Sequence, residues 1–204
     1  HRNDWHAYDD VKGGELPASL VYDARCRELK YLSERKVYEY STISEALKRT
    51  QKRPLRLKWI DSNKGDSAHP NVRSRLVCTE VKPKGVESIF AATPPLESLR
   101  ILMALLSQED PAGMEDPLCL TLSDVSRAHF YAQSVREVFI QLPPEDPRYG
   151  QPDVCGKLLR TMYGTLDAAE RWSDHYSTIL KSAGFIQGQA SPCHFMHPGW
   201  GSTW

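Results

Sequence analysis

Between residues 55 and 79 the chain twice alternates apolar with charged or polar positions, as Leu55-Arg-Leu-Lys-Trp-Ile60 and as Val72-Arg-Ser-Arg-Leu-Val-Cys-Thr79. A period of two with one wet face is the pattern of a half-buried strand. The polar stretch 61–70 between them, rich in Gly, Pro and Asn, predicts an antiparallel hairpin with a long connector. Because side chains two apart on a strand point the same way, the wet face of that hairpin carries Arg56, Lys58, Arg73 and Arg75 together.

Elsewhere the period is helical. Leu20, Val21, Ala24, Leu29 and Leu32 share a face over 17–34, and a short helix is expected over 44–50. Leu99, Leu102, Met103, Leu105 and Leu106 predict a core helix over 96–107, with Pro95 suited to its first turn. An amphipathic helix over 166–183, through Ala168, Ala169, Trp172, Tyr176, Ile179 and Leu180, closes on Gly184. The apolar run 118–122 reads as a buried strand that delivers Asp124 at its end. Segments 137–141, 154–159 and 193–196 are further strands, and residues 1–14, broken by Gly13-Gly14, read as a loop. Helices interspersed with strands in this order predict an α+β fold.

Composition narrows the class. At 204 residues, 40% hydrophobic and 25% charged, the chain is globular rather than disordered. No run approaches 18 apolar residues and the N-terminus has no apolar signal region, so an intracellular protein, cytoplasmic or nuclear and with no membrane partner, is expected. Five cysteines spaced dozens apart, with no CxxC pair, argue against a disulfide framework or a zinc module. The first Met is Met103, which predicts a fragment or a processed product.

Charge is balanced overall, 26 basic against 26 acidic residues, but not locally. Residues 48–84 hold eleven Lys or Arg and three acids. Such a block suits a phosphodiester backbone or a triphosphate, and equally a solvated strand face. A basic hairpin upstream of a strand-end acid is what phosphoryl or nucleotidyl transfer requires, since cations hold the phosphates and carboxylates hold Mg²⁺. One carboxylate is too few for a two-metal site, and a lone Asp124 is also what a turn or helix cap needs. No P-loop or G-x-S-x-G string occurs.

From about Ile43 to His197 the chain resembles the N-terminal part of the reverse transcriptases of copia-type (Pseudoviridae-like) LTR retrotransposons. The matching residues, in order, are Lys58-Trp59, Gly65 and Arg73-Ser-Arg-Leu-Val77, then Phe90-Ala-Ala-Thr-Pro94 and Leu99-Arg-Ile-Leu102. Asp124-Val-Ser-Arg-Ala-His-Phe130 is similar to the palm signature, and Glu137-Val-Phe-Ile-Gln-Leu-Pro-Pro144 to its following strand and turn. Val154-Cys-Gly-Lys-Leu-Leu159, Tyr163-Gly164, Trp172, Gly184-Phe185 and Ser191-Pro-Cys-His-Phe195 complete the series.

The resemblance implies a partial right-hand polymerase, with antiparallel strands packed on helices. Residues 1–42 would be an N-terminal extension with a helix, 43–117 a fingers-like region and 118–204 part of the palm. It implies Asp124 as a catalytic carboxylate that binds Mg²⁺ or Mn²⁺ with help from the Val125 carbonyl. Arg75, Arg73 and Lys58 would contact the incoming deoxynucleotide triphosphate, with His129 and Gly164 lining its pocket. The implied partners are an RNA template, a DNA primer, and the integrase and RNase H of a retrotransposon polyprotein. Three departures stand out. His129 occupies the family's aromatic position, and Thr165-Leu-Asp-Ala-Ala169 replaces a Leu-Lys-Gln-Ala-Pro stretch. The Tyr/Phe-x-Asp-Asp hairpin expected after Phe195 does not occur before Trp204, so the 204-residue chain is expected to be inactive by itself. The competing class is a non-catalytic nucleic-acid-binding protein, a domesticated or decayed copy that uses only the basic hairpin.

Overall fold

The computed structural model describes residues 6–82, 95–108, 123–189, 191–199 and 202–203. The chain divides into two compact units, His1–Ile89 with His129–Trp172, and Phe90–Ala128 with Ser173–Trp204.

The first unit opens with a small antiparallel hairpin, β1 (Ala7–Tyr8) and β2 (Glu15–Leu16), where a loop was expected. Gly13 and Gly14 turn it at φ of 75° and 90°, values that favour glycine. Helix α1 (Ala18–Glu34) follows, as the periodicity predicts, and buries Val21, Ala24 and Leu32. Strand β3 (Tyr38–Thr42) leads into α2 (Ile43–Thr50). The Thr42 hydroxyl caps α2 by accepting from the Glu45 amide at 3.0 Å, and Gln51 ends it in the left-handed region.

The predicted hairpin is present as β4 (Leu57–Asn63) and β5 (Val72–Cys78), with Leu57 opposite Cys78 and Asn63 opposite Val72. One face carries Trp59, Asp61, Ser74, Leu76 and Cys78, all buried; the other carries Lys58 and Arg75, exposed, and Arg73, partly so. The alternation therefore places the basic residues on one face, as read from the sequence. The inner face packs with Leu32, Val37, Phe130 and Met162 into the main core, where a fully buried side chain such as Leu76 contributes about 1.5–3 kcal/mol.

Between α2 and the hairpin, Leu55 bridges to Ile140 of a three-stranded antiparallel sheet, whose order is β3, β7 (Val154–Leu158), β6 (Phe139–Ile140). A 3₁₀ turn spans Ala128–Tyr131.

In the second unit, helix α3 (Leu96–Gln108) matches the predicted span, but Leu96, Leu99, Ile101 and Met103 are exposed, so its described side chains do not make it the core helix expected. Helix α4 (Ala168–Ser182), whose first turns count with the first unit, closes on Gly184 at φ 92°. The Gly184 and Phe185 amides donate back to the carbonyls of Lys181 and Leu180, the helix stop expected there. Strands β8 (Ile186–Gln187), β9 (Phe195–His197) and β10 (Ser202–Thr203) form an antiparallel sheet with β9 in the middle. Mixed helices and antiparallel strands make the chain α+β. The expected strand over 118–122 lies outside the described residues, and among those described no helix is long and apolar enough to cross a membrane.

Candidate nucleic-acid interface

The outer face of β4 and β5 is completed by the segment that follows β7. The Cys78 amide donates to the Tyr163 carbonyl at 2.7 Å, tying that segment to the end of β5. Gly164, at φ 81°, permits this approach, because a Cβ there would run into the Cys78 carbonyl oxygen. Tyr163 is thereby laid against the basic face, with the Arg75 guanidinium 5.4 Å from the centre of its ring. On its other edges the ring meets His129 at 4.9 Å and Phe130 at 5.3 Å, both edge-on.

Three of the residues singled out from the sequence, Arg75, His129 and Gly164, therefore meet around Tyr163. Arg73 shares the face of Arg75, opposite Ser62, and neither arginine has an ion pair with a described carboxylate. Burial pushes the His129 imidazole below its ordinary pKa and the Arg75 charge pushes it further, so the ring facing Tyr163 is neutral at pH 7. Its Nδ1 lies 3.2 Å from the Ala168 carbonyl.

Lys58 differs from its neighbours. Its ammonium lies 3.1 Å from Oδ1 of Asp10, a residue of the N-terminal turn. Asp9 and Asp10 form the one Asp-Asp pair in the sequence, following Tyr8, but both hold the hairpin in place. Asp9 accepts from the Val11, Lys12 and Asn63 amides at 2.8 Å each, and Oδ2 of Asp10 accepts from the Asp61 amide at 2.9 Å. Partial burial raises the Asp10 pKa, yet the Asp61 amide and Lys58 outweigh it and keep the carboxyl below its ordinary value.

The segment after Gly164 is fixed by charge. Arg136 donates to Glu80 at 2.9 and 3.0 Å and to Asp167 at 2.6 Å, and the Leu166 amide donates to Glu80 at 2.8 Å. Burial works against ionisation of Glu80 and Asp167, but the Arg136 guanidinium holds both below the usual carboxylate range. Asp167 stands where the resemblance puts a Gln, and it is buried. It binds a protein cation instead of facing a ligand.

Asp124 and Val125 belong to the second unit, both exposed, in a stretch without regular structure. Among the described residues no group of three or more His, Cys, Asp or Glu is placed to hold a metal. The four described cysteines, Cys26, Cys78, Cys155 and Cys193, are free; burial pushes the Cys78 thiol up to about 12 and the Cys155 thiol to about 11, which leaves both protonated.

Sequence reasoning quoted Tyr163 beside Gly164 without giving it a role of its own, and missed the Arg136, Glu80, Asp167 cluster. The first had a signal, its place beside a glycine already singled out; the cluster joins residues 31 and 56 positions apart and has no local pattern.

The model of the family described as reverse transcriptase (RNA-dependent DNA polymerase) matches residues 40–202, most of the chain. The chain belongs to that family. It is also 25% identical, over 147 residues, to the retrovirus-related Pol polyprotein from transposon TNT 1-94 of Nicotiana tabacum, which makes it the reverse transcriptase region of a copia-type element. That alignment takes in 70% of the chain but only 10% of the tobacco polyprotein. No solved structure matches. The matched reverse transcriptase region includes β4, β5, Asp124, His129 and Gly164, whereas β1, β2 and α1 precede it.

Proposed function

We propose that this chain is the fingers and the first part of the palm of an RNA-directed DNA polymerase, which acts within a retrotransposon polyprotein alongside integrase and RNase H. The fingers-like part runs over 43–117 and the palm part over 118–204, with 1–42 ahead of them. The observation that carries this reading is the basic outer face of β4 and β5, with Arg75 and Tyr163 brought together by Gly164 inside the matched region.

In this reading Arg73, Arg75 and Lys58 hold the triphosphate of the incoming deoxynucleotide against the RNA template and DNA primer. A guanidinium presents its donors as a flat fork that suits phosphate oxygens. The Tyr163 ring orients Arg75 from beneath, Gly164 keeps the pocket edge free of a side chain, and neutral His129 supports Tyr163. Asp124 is one oxygen ligand, beside the Val125 carbonyl, for the Mg²⁺ or Mn²⁺ that reverse transcriptases use. The described residues do not fit a complete metal site, so further carboxylates must join Asp124 before nucleotidyl transfer.

Fluorescence anisotropy with a primed RNA template tests the reading. Affinity should fall linearly with the logarithm of salt, and the Arg73→Ala, Arg75→Ala double variant should reduce that slope by about two. Binding unaffected by both substitutions would overturn it. Asp124→Asn should leave template affinity within about twofold, yet abolish primer extension by the polymerase that carries this region.

A further inference from the structure

The family match begins at residue 40, yet the basic hairpin is gripped by residues that come before it. The two adjacent carboxylates of the N-terminal turn do this differently. Asp9 uses both oxygens on backbone amides and is wholly structural. Asp10 uses Oδ2 on the Asp61 amide, which fixes its position, and turns Oδ1 to Lys58.

That contact is open to solvent, with the Lys58 side chain 59% and the Asp10 side chain 27% exposed. Lys58 lies opposite Val77 and Arg75 opposite Ile60, so the two cations are diagonal neighbours on one face. Arg73 and Arg75 have no described carboxylate, while Lys58 has one. An exposed ion pair is weak and screened by salt. A multiply charged phosphate placed by the two arginines is thus a strong competitor for the same ammonium.

We propose that Asp10 is a displaceable counter-ion: it occupies Lys58 until a phosphate-bearing ligand takes its place, and it thereby sets how tightly the hairpin holds polyanions. The proposal rests on the reading of this face as phosphate-binding. The N-terminal turn then does more than brace β4. It supplies a charge against which every phosphate ligand is selected, favouring those dense enough in charge to displace it.

Asp10→Asn isolates this role, because the amide oxygen still accepts from the Asp61 N–H while the charge is gone. The variant should bind pyrophosphate and primed RNA template about threefold more tightly at low salt. The gain should disappear in a Lys58→Met background and fade at high salt. Unchanged or weaker binding by folded Asp10→Asn, or a gain that survives Lys58→Met, would overturn the proposal. Carbon-13 NMR of the unsubstituted chain gives a second readout: saturating pyrophosphate should shift the Asp10 carboxyl signal, and a signal that stays put overturns the displacement. If the unsubstituted chain binds through Arg73 and Arg75 with no gain in Asp10→Asn, only this proposal fails. If neither protein binds phosphate at all, the polymerase reading fails with it.

Discussion

Two arginines against one hairpin meet opposite surroundings. Arg25 of α1 lies on the inner side, 5.2 Å from the centre of the Trp59 ring, and Arg75 lies on the outer side, 5.4 Å from that of Tyr163. The aromatic contact is nearly the same. What differs is the counter-charge: Arg25 bonds Asp61 at 2.6 Å and Glu145 at 2.9 Å, whereas Arg75 has no described carboxylate. Asp61 also accepts from Ser74 across the strand pair, and Glu145 from the Trp59 indole, so the inner charge is locked into the fold. The outer charge meets an aromatic ring and no described carboxylate. A cation on an aromatic ring is therefore not diagnostic of binding; among the described residues, a carboxylate partner is what separates the two.

The sharpest way to break this contrast is to remove the inner arginine. Arg25→Met leaves Asp61 and Glu145, with side chains only 5% and 10% exposed, as two buried carboxylates without their cation. A loss of about 3–5 kcal/mol is expected, read as a fall in the urea midpoint, and Arg25→Lys should restore only part of it because an ammonium cannot fork across both acids. If Arg25→Met melted like the unsubstituted chain, the inner site would be no more structural than the outer one.

Gly164→Ala attacks the outer site through its support. With φ at 81° and the Cys78 carbonyl in the way, the backbone must shift, at a cost of about 2 kcal/mol or more. The Tyr163 ring then leaves Arg75, so polyanion affinity should drop along with stability. Arg136→Met removes the cation from Glu80 and Asp167 and should cost about 2 kcal/mol, less than Arg25→Met because the Arg136 side chain is 39% exposed. Urea unfolding at pH 7 checks both, and an Arg136→Met loss as large as that of Arg25→Met would show that exposure does not temper such networks.

The outer site was more legible in the sequence than the inner one, for a physical reason. A strand with one wet face writes itself as a period of two, so the alternation alone puts Lys58, Arg73 and Arg75 on one face. Arg25, Asp61 and Glu145 are drawn together from α1, β4 and the turn after β6, across up to 120 positions, and nothing local marks them. The same holds for strands. β4 and β5 pair with each other and were readable, while β3 takes its partner β7 more than a hundred residues away and was not. β1 and β2, two residues each, are too short to show a period. Helix α3 shows the converse limit: periodicity gave its span, but a burying partner is a tertiary fact, and Leu96, Leu99, Ile101 and Met103 stand exposed. Asp124 stood out in the sequence as an acid at the end of an apolar run, but its catalytic role came only from the resemblance, since one exposed acid equally suits a turn or a helix cap.

Arg75→Ala should separate stability from binding. An exposed cation and ring contribute about 0.5–1 kcal/mol, so the urea midpoint should barely move while the salt slope for primed template falls by about one. A large stability loss with no change in slope would reverse the contrast between the two arginines.

The smallest effect blurs the contrast. Burial and the Arg75 charge lower the His129 pKa in the folded chain below the unfolded value near 6.5. Between those two values the unfolded chain binds the extra proton, so stability is complete above pH 6.5 and declines as pH falls toward the folded pKa. Removing Arg75 removes a like charge, raises the folded pKa and shrinks that decline. Glu80 and Asp167 also lose stabilisation in acid, their pKa values being depressed, but they do so below about pH 4.5 and in both proteins alike. Unfolding free energies at pH 5.5 and 7.5 should therefore differ less for Arg75→Ala than for the unsubstituted chain. An equal difference would mean that Arg75 does not act on His129, and that the outer arginine is as free of the fold as the first contrast makes it.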